Sequence, residues 1–312
     1  MSGYIEDTDI FLLNKLLGVE KMDVPEPLFK YTTLDTGIII LSTGRLRWSS
    51  PLHFNDLSEF QRMPHFEPSL DESISKLPEI ITAIITGNKQ VDENKLKNAP
   101  KILLKTVRTL INSGMEPDAA IRELINQYHG ADEKMHKTLK ATFESFRVNT
   151  ARVFCLTTEP DNDVMWAHYA GNHTGIVLGF RHLPKLDTPF MATQPVTYSR
   201  QAPVAGSGID FLLYGHTPEL RKKILNAVCY TKSYRWEYEK EWRAITWRPE
   251  EKGKEYGDYK FFPEELESVC FGAKFDNSRL NEVKDIILAQ YSNCSLYRMV
   301  VRTGKLLREA VD

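Results

Sequence analysis

The pattern of apolar residues changes twice along this chain of 312 residues, and this change constrains the fold more than any other feature. Residues 70–147 are rich in charge and carry apolar side chains at helical spacing, for example Ile81 and Ile85. Short apolar runs with the length of strands follow at 152–156 and 175–180. The pattern therefore predicts an α+β fold, in which an irregular mixed or antiparallel sheet is assembled from both sides of a helical insertion.

The same change of pattern divides the chain into three predicted parts. Residues 1–24 carry apolar positions at roughly helical spacing, which predicts an N-terminal helical extension. Residues 25–69 and 148–312 contain the strand-like runs and are predicted to form the α+β core. Residues 70–147 are predicted to be a helical insertion of three or four helices.

Charge and hydropathy exclude several classes of protein. The chain has 40 Lys and Arg against 42 Asp and Glu, which argues against a protein that holds nucleic acid mainly through its phosphates. Its longest apolar runs fall far short of the ~20 residues that span a bilayer. Residues 1–20 lack the basic start and the small-residue cleavage site of a signal peptide. We therefore expect a cytoplasmic protein without a membrane partner.

The cysteines and the missing motifs narrow the chemistry further. The four cysteines are far apart, and no Cys or His pair has the spacing of a zinc site. We expect four reduced thiols and no metal. The glycine-rich phosphate loops, the zinc-protease motif and the serine-hydrolase motif are all missing from the sequence.

Four short segments concentrate aromatic and polar side chains. They are Tyr31-Thr32-Thr33, Trp48-Ser49-Ser50, Met165-Trp166-Ala167-His168-Tyr169-Ala170 and Trp236-Glu237-Tyr238-Glu239-Lys240-Glu241-Trp242-Arg243. In the third segment, helical spacing places Met165 and Tyr169 on one face, so packing in a core explains most of this segment. His168 falls between the faces and has no second ligand at metal-binding spacing.

The fourth segment contains two glutamates and an arginine at alternate positions. Strand periodicity predicts that Glu239, Glu241 and Arg243 share one face. Two neighbouring carboxylates repel each other, so at least one should have a raised pKa unless a cation compensates. Such a pair is suited to stabilising a cationic transition state. The alternative is an exposed strand edge whose ion pairs contribute little.

Together these segments resemble a large bacterial family that is catalogued as a domain of unknown function. The family has an "fND" turn, an "MWaHYa" helix and a "yEkEwR" strand, and the matching motifs here are Phe54-Asn55-Asp56, Met165-Trp166-Ala167-His168-Tyr169-Ala170 and Tyr238-Glu239-Lys240-Glu241-Trp242-Arg243. The resemblance covers roughly residues 28–66 and 150–272, and the stretch between them is where such proteins vary. Membership of this family implies no established activity.

A weaker resemblance is to ADP-ribosyltransferases of the DarT type, which modify DNA. Tyr31-Thr32-Thr33 would match their first strand and the turn after it, Trp48-Ser49-Ser50 a second strand, and Glu241 a late strand-borne glutamate. Glu239 would complete a Glu-x-Glu motif. Tyr31 replaces the usual His or Arg of the first motif. This resemblance implies an ADP-ribosyltransferase-like sheet and an enzyme that consumes NAD.

The same resemblance assigns roles to individual residues. Glu241 and Glu239 would be catalytic, and a Glu241→Gln variant is expected to lose activity without unfolding. The residues that would bind NAD are Tyr31, Thr32, Thr33, Trp48, Ser49, Trp166, His168, Tyr169 and Arg243. The expected acceptor is a nucleic acid or a protein, in a toxin or phage-defence context.

Two other functions remain open on the sequence alone. A non-catalytic module of the same family would use the aromatic-rich cleft to bind a nucleotide or a partner. An unrelated hydrolase would use Asp56 with the glutamates, although no spacing argument supports it. Convergence of the aromatic residues and Glu241 on one cleft favours the enzyme, whereas glutamates on an exposed edge would count against it.

Overall fold

The computed structural model describes residues 24–125, 131–186, 188–248 and 255–311, so the predicted extension over 1–24 lies outside the described residues except for residue 24. The strands are β1 (Leu28–Thr32), β2 (Arg45–Ser49), β3 (His65–Phe66), β4 (Ala151–Thr157), β5 (Ile176–Phe180), β6 (Gln194–Pro195), β7 (Thr197–Ser199), β8 (Val204–Gly206), β9 (Thr231–Ser233), β10 (Glu241–Trp247), β11 (Tyr256–Lys260), β12 (Leu266–Phe271), β13 (Ser295–Arg302) and β14 (Lys305–Ala310). The α-helices are α1 (Leu34–Thr43), α2 (Leu70–Ser75), α3 (Leu77–Ile85), α4 (Asn98–Asn112), α5 (Pro117–Ile125), α6 (Ala131–Ser145), α7 (Asp163–Tyr169), α8 (Gly208–Tyr214), α9 (Pro218–Cys229) and α10 (Leu280–Gln290).

The chain separates into two compact units, each built from discontinuous segments. The sheet unit takes the described residues of Met1–Leu57, Val148–Arg200 and Lys232–Asp312. The helical unit takes those of Ser58–Arg147 and Gln201–Thr231. This division differs from the predicted domains in two respects: residues 58–69 and residues 201–231, both predicted as part of the α+β core, belong to the helical unit.

The large sheet is mixed, as the α+β prediction allows. Its strand order is β11-β2-β4-β1-β5-β12-β13-β14, and β10 pairs with β4 and β6. The pairings within it are antiparallel except for β12 with β13, which are parallel. The register places Glu241 opposite Thr157, and Thr157 opposite Phe29 on its other side. These three residues therefore form one row across β10, β4 and β1.

The two faces of the sheet differ because successive strand side chains alternate. One face packs against α1 and α10 through an apolar cluster that includes Leu41, Leu178 and Ile287. The other face, which we call the α7 face, carries Phe29, Tyr31, Val177, Cys270 and Met299, with Met165 and Trp166 of α7 packed on them. The candidate site lies on this second face.

The helical unit has a separate apolar core. Ile81 of α3, Leu104 of α4 and Ile121 of α5 are almost fully buried in it, together with Leu213 of α8. The backbone N–H of Lys97 also donates to the carbonyl of Leu213, at 2.9 Å. Residues 201–231 join this unit because α8 completes its core, a tertiary contact that local periodicity does not reveal.

Candidate functional site

Four buried charged side chains form a continuous cluster on the α7 face. Lys232, Glu239, Glu241 and Arg243 are each at most 6% exposed. The Lys232 ammonium donates to Oε2 of Glu239 at 2.6 Å and to Oε2 of Glu241 at 3.0 Å. Arg243 donates to Glu241 twice, from Nε to Oε1 at 2.5 Å and from Nη2 to Oε2 at 2.8 Å. We call these four residues the charge cluster.

The backbone around Glu239 explains how both glutamates reach one lysine. Residues Tyr234–Glu239 form a 3₁₀ helix, and Lys240 follows with a left-handed φ of 41°. Strand β10 begins only at Glu241. The predicted strand periodicity therefore holds for Glu241 and Arg243 but is wrong for Glu239, because the left-handed residue re-aims the chain between the two glutamates. The Lys240 side chain is exposed and pairs with Glu159 at 2.7 Å.

The cluster balances two carboxylates with two cations. Burial alone would lower the pKa of Lys232, but Glu241 and Glu239 outweigh it and raise that pKa. Lys232 is therefore charged at neutral pH. Buried charges are tolerated when they are paired and hydrogen-bonded in this way, and removing one partner leaves an uncompensated charge. The glutamates are buried, so the alternative of an exposed strand edge is wrong, and Lys232 and Arg243 are the cations that compensate the pair.

Tyr169 connects the charge cluster to the surface. Its hydroxyl donates to Oε1 of Glu239 at 2.6 Å and accepts a longer hydrogen bond from Nδ2 of the exposed Asn55 at 3.4 Å. Burial and the charge of Glu239 raise the pKa of Tyr169, so the phenol keeps its proton and remains a donor. Oε1 of Glu239 therefore accepts from a neutral hydroxyl, whereas both oxygens of Glu241 accept from cations.

Three further rings lie beside Tyr169 and the charge cluster. Nδ1 of the exposed His168 is 3.2 Å from the Tyr238 hydroxyl. The Trp236 ring is 6.1 Å from that of Tyr238, and the Lys232 ammonium lies 5.1 Å from the Trp236 ring centre. Flat aromatic surfaces next to a buried carboxylate suit a planar heterocyclic ligand.

Tyr31 and Trp166 lie behind this site and support it. Both are buried, and their rings meet edge to face with centres 5.4 Å apart. The Tyr31 hydroxyl donates to the carbonyl of Glu159 and accepts from the backbone N–H of Asn162, the residue that caps α7. Tyr31 thus fixes the start of the helix that carries Tyr169. Tyr169 packs against the same apolar cluster.

Four other predicted site residues do not contact the charge cluster. Thr33 caps α1, and Thr32 is buried at the end of β1. Trp48 is 3% exposed and stacks on Phe154 in the opposite apolar core, because alternation along β2 turns its side chain away from α7. Ser49 ends β2 opposite Val153.

Sequence reasoning missed Lys232, Asn55 and Tyr198 as members of this site. Lys232 lies in the short strand β9, and only its burial reveals its role. Asn55 belongs to the segment that matches the "fND" turn, and turn formation alone accounts for an asparagine there. The Tyr198 hydroxyl accepts from the backbone N–H of Glu241 at 2.8 Å. The contacts of Asn55 and Tyr198 join segments far apart in the chain. Lys232 lies seven residues before Glu239, but in a different strand, so no helical or strand periodicity relates the two.

Within the described ranges, His, Cys, Asp and Glu side chains nowhere gather in threes or more in a way that suits a metal ion. Among the same residues, no helix combines the length and the apolar character needed to cross a bilayer.

Residues 165–244 match the family model described as "Protein of unknown function (DUF2971)". The match includes residues 165–169 of α7 and all four members of the charge cluster, and it confirms the resemblance to a family of unknown function over these residues. Neither the curated proteins nor the solved structures gave a match. The resemblance to ADP-ribosyltransferases stays a prediction.

Proposed function

We propose that this chain cleaves the bond between nicotinamide and ribose in NAD and transfers ADP-ribose to a nucleic acid or a protein, in a toxin or phage-defence context. The observation that carries the proposal is the Glu239 carboxylate, buried beside Lys232 and hydrogen-bonded to Tyr169. Its neighbours include the flat rings of Tyr169, Tyr238 and Trp236.

The chemistry needs a fixed negative charge beside the ribose. The C1′–N1 bond breaks, nicotinamide leaves as a neutral molecule with the bonding electrons, and C1′ becomes part of an oxocarbenium ion. A preorganised carboxylate stabilises that positive charge as it develops. The acceptor's oxygen or nitrogen then bonds to C1′ and releases its proton to solvent. No metal is needed for these steps.

Glu239 is better suited to this role than Glu241. Both oxygens of Glu241 are held by Arg243, and one of them also by Lys232. Oε1 of Glu239 is held by the Tyr169 hydroxyl instead. A ribose hydroxyl can replace a neutral hydroxyl donor at little net cost, whereas separating a buried ion pair costs far more. Glu241 and Lys232 would then be positioning residues.

The test is nicotinamide release from NAD by the full-length protein, with single-stranded DNA, RNA or cell lysate as acceptor. Glu239→Gln removes the charge and keeps the shape, and should lower the rate by about a hundredfold or more. Glu237→Gln is the matched control, because Glu237 is exposed in the same 3₁₀ helix. It should leave the rate unchanged.

Two results would contradict the proposal. If Glu239→Gln releases nicotinamide at the wild-type rate while remaining folded, Glu239 has no catalytic role. If the wild-type protein releases none with any of the acceptors, the proposed reaction is not its activity.

A second function is favoured by a different feature of the same residues. All four oxygens of the two glutamates already accept hydrogen bonds from protein groups. A module that binds a nucleotide through the aromatic rings, without cleaving it, needs no free carboxylate. It would raise the melting temperature with NAD and release no nicotinamide.

A further inference from the structure

The side-chain amide of Asn55 is the basis of a further inference, which concerns the ligand that the site selects. Asparagines in turns commonly hydrogen-bond to the backbone two residues further on. In the part of the chain that the structure describes, the Asn55 amide instead donates to the hydroxyl of Tyr169, 114 residues away in sequence. Turn formation therefore explains the residue type at this position but not the place where its amide lies.

The Asn55 amide can leave Tyr169 at little cost. Its Nδ2 lies 3.4 Å from the Tyr169 oxygen, which is longer than the usual range of about 2.7–3.2 Å for such a bond. Asn55 is exposed, so a ligand reaches its Oδ1 and its second N–H directly from solvent. Exchanging one long hydrogen bond for two bonds to a ligand is favourable.

Tyr169 places this amide one hydroxyl group away from Glu239. The oxygen that accepts from Asn55 also donates to Oε1 of Glu239, at 2.6 Å. The exposed ring of His168 lies next to Tyr169 and Tyr238, with its centre 6.1 Å and 6.3 Å from theirs. Tyr169 and Tyr238 are themselves partly exposed. A planar ligand can therefore approach the amide and the rings from solvent without crossing the buried sheet.

We propose that Asn55 selects a ligand that carries a primary carboxamide on a planar aromatic ring. A carboxamide and the Asn55 amide each have N–H donors and a carbonyl acceptor, so the two groups can form a pair of hydrogen bonds in one plane. A carboxylate in the same place offers only acceptors, one of which would face the Asn55 carbonyl oxygen.

In naming this ligand as the nicotinamide end of NAD, the inference rests on the proposed function. The carboxamide is attached to the ring that leaves the ribose, and Glu239 would face that ribose. Asn55 would then be a specificity-determining residue. Asparagine can also pair with the edge of adenine, so the experiment has to separate the two ends of the dinucleotide.

The dissociation constants of three dinucleotides test this selection. They are NAD, nicotinic acid adenine dinucleotide, in which a carboxylate replaces the carboxamide, and nicotinamide hypoxanthine dinucleotide, in which a carbonyl oxygen replaces the adenine amino group. Each is titrated by calorimetry into the full-length protein. The wild type should bind the nicotinic acid compound about ten- to a hundredfold more weakly than NAD, because a hydrogen bond is lost and an acceptor is left unpaired. It should bind the hypoxanthine compound as tightly as NAD.

Variants of two exposed asparagines show whether the preference comes from Asn55. Asn55→Ala should reduce the preference for NAD over the nicotinic acid compound by about tenfold. A purely structural role of Asn55 would weaken both compounds equally and leave their ratio unchanged. Asn281→Ala is the matched control, because Asn281 is exposed on α10, which packs on the other face of the sheet. It should change neither affinity, and melting temperatures confirm that each variant is folded.

Nicotinamide release, assayed in parallel, separates this inference from the proposed function. NAD that is bound with the expected preference but not cleaved would leave the selection by Asn55 standing and remove only the reaction. The selection is overturned if the wild type binds no NAD, if it binds the nicotinic acid compound equally well, or if Asn55→Ala keeps the full preference. A preference against the hypoxanthine compound that disappears in Asn55→Ala would place adenine at Asn55 and overturn it too.

Discussion

The two faces of the large sheet bury very different chemistry. The face under α1 and α10 is lined by apolar side chains such as Leu178 and Val269, each almost fully buried. The α7 face buries two carboxylates, an ammonium and a guanidinium within one cluster. Apolar side chains of similar volume often stabilise a fold as well as such a cluster does, or better. This comparison teaches that the charges are better explained by a role in function than by stability.

The largest effect is expected when the charge cluster loses one partner. Glu241→Gln leaves Arg243 and Lys232 without the carboxylate that both hold, and should lower the free energy of unfolding by about 3–5 kcal/mol. The sequence alone predicts that this variant remains folded, whereas the contacts of Glu241 predict a strong loss of stability. Urea unfolding measures the change. A loss below about 1 kcal/mol would show that the fold tolerates unpaired cations in the charge cluster.

A cavity in the apolar face under α1 and α10 should lower the free energy of unfolding by a similar or slightly smaller amount. Leu178 is 0% exposed at the centre of the sheet. Leu178→Ala should lower the free energy of unfolding by about 3 kcal/mol, through lost burial and the cavity left behind. It should leave nicotinamide release per folded molecule unchanged. If it instead reduced the rate as strongly as Glu239→Gln, the two faces would not be functionally distinct.

Removing only the Tyr169 hydroxyl should have a moderate effect. Tyr169→Phe deletes a hydrogen bond to the charged Glu239 and should lower the free energy of unfolding by about 1.5–3 kcal/mol. The matched control is Lys240→Ala, which breaks the exposed pair with Glu159 and should cost less than about 1 kcal/mol. Equal losses for the two variants in chemical denaturation would contradict the distinction between buried and exposed contacts.

The smallest effect is a dependence on alkaline pH. The pKa of Lys232 is raised in the folded protein, so its stabilising contribution is complete below the unfolded value of about 10.4 and is lost as the pH rises towards the folded value. The stability difference between wild type and Lys232→Met should therefore stay constant from pH 7 to 10. Above that it should shrink by about 1 kcal/mol per pH unit. If the stability difference instead shrank on acidification from pH 7 to 5, the pH dependence would come from a group other than Lys232.

Local patterns predicted those features that local geometry determines. Periodicity indicated the α+β class and the helical character of 70–147, although the described residues there form five helices, α2 to α6, rather than the predicted three or four. Alternation correctly placed Glu241 and Arg243 on one face. The departure at Glu239 follows from the left-handed Lys240, a conformation that a lysine in an expected strand does not reveal. Lys232 could not be found, although it lies only seven residues before Glu239, because the 3₁₀ helix that brings the two side chains together has no periodic signal in the sequence. The place of α8 could not be found either, because its Leu213 is buried among helices from a distant part of the chain.

The discontinuous units have a consequence for how this protein is made. β1 pairs with β5, so Leu28 meets Phe180 only after the ribosome has synthesised everything between them. At typical elongation rates this delay is on the order of ten seconds. Residues 58–147 of the helical unit emerge during the delay, but their core awaits Leu213, which is made later still. Each unit therefore needs segments that are synthesised late before its apolar core is complete.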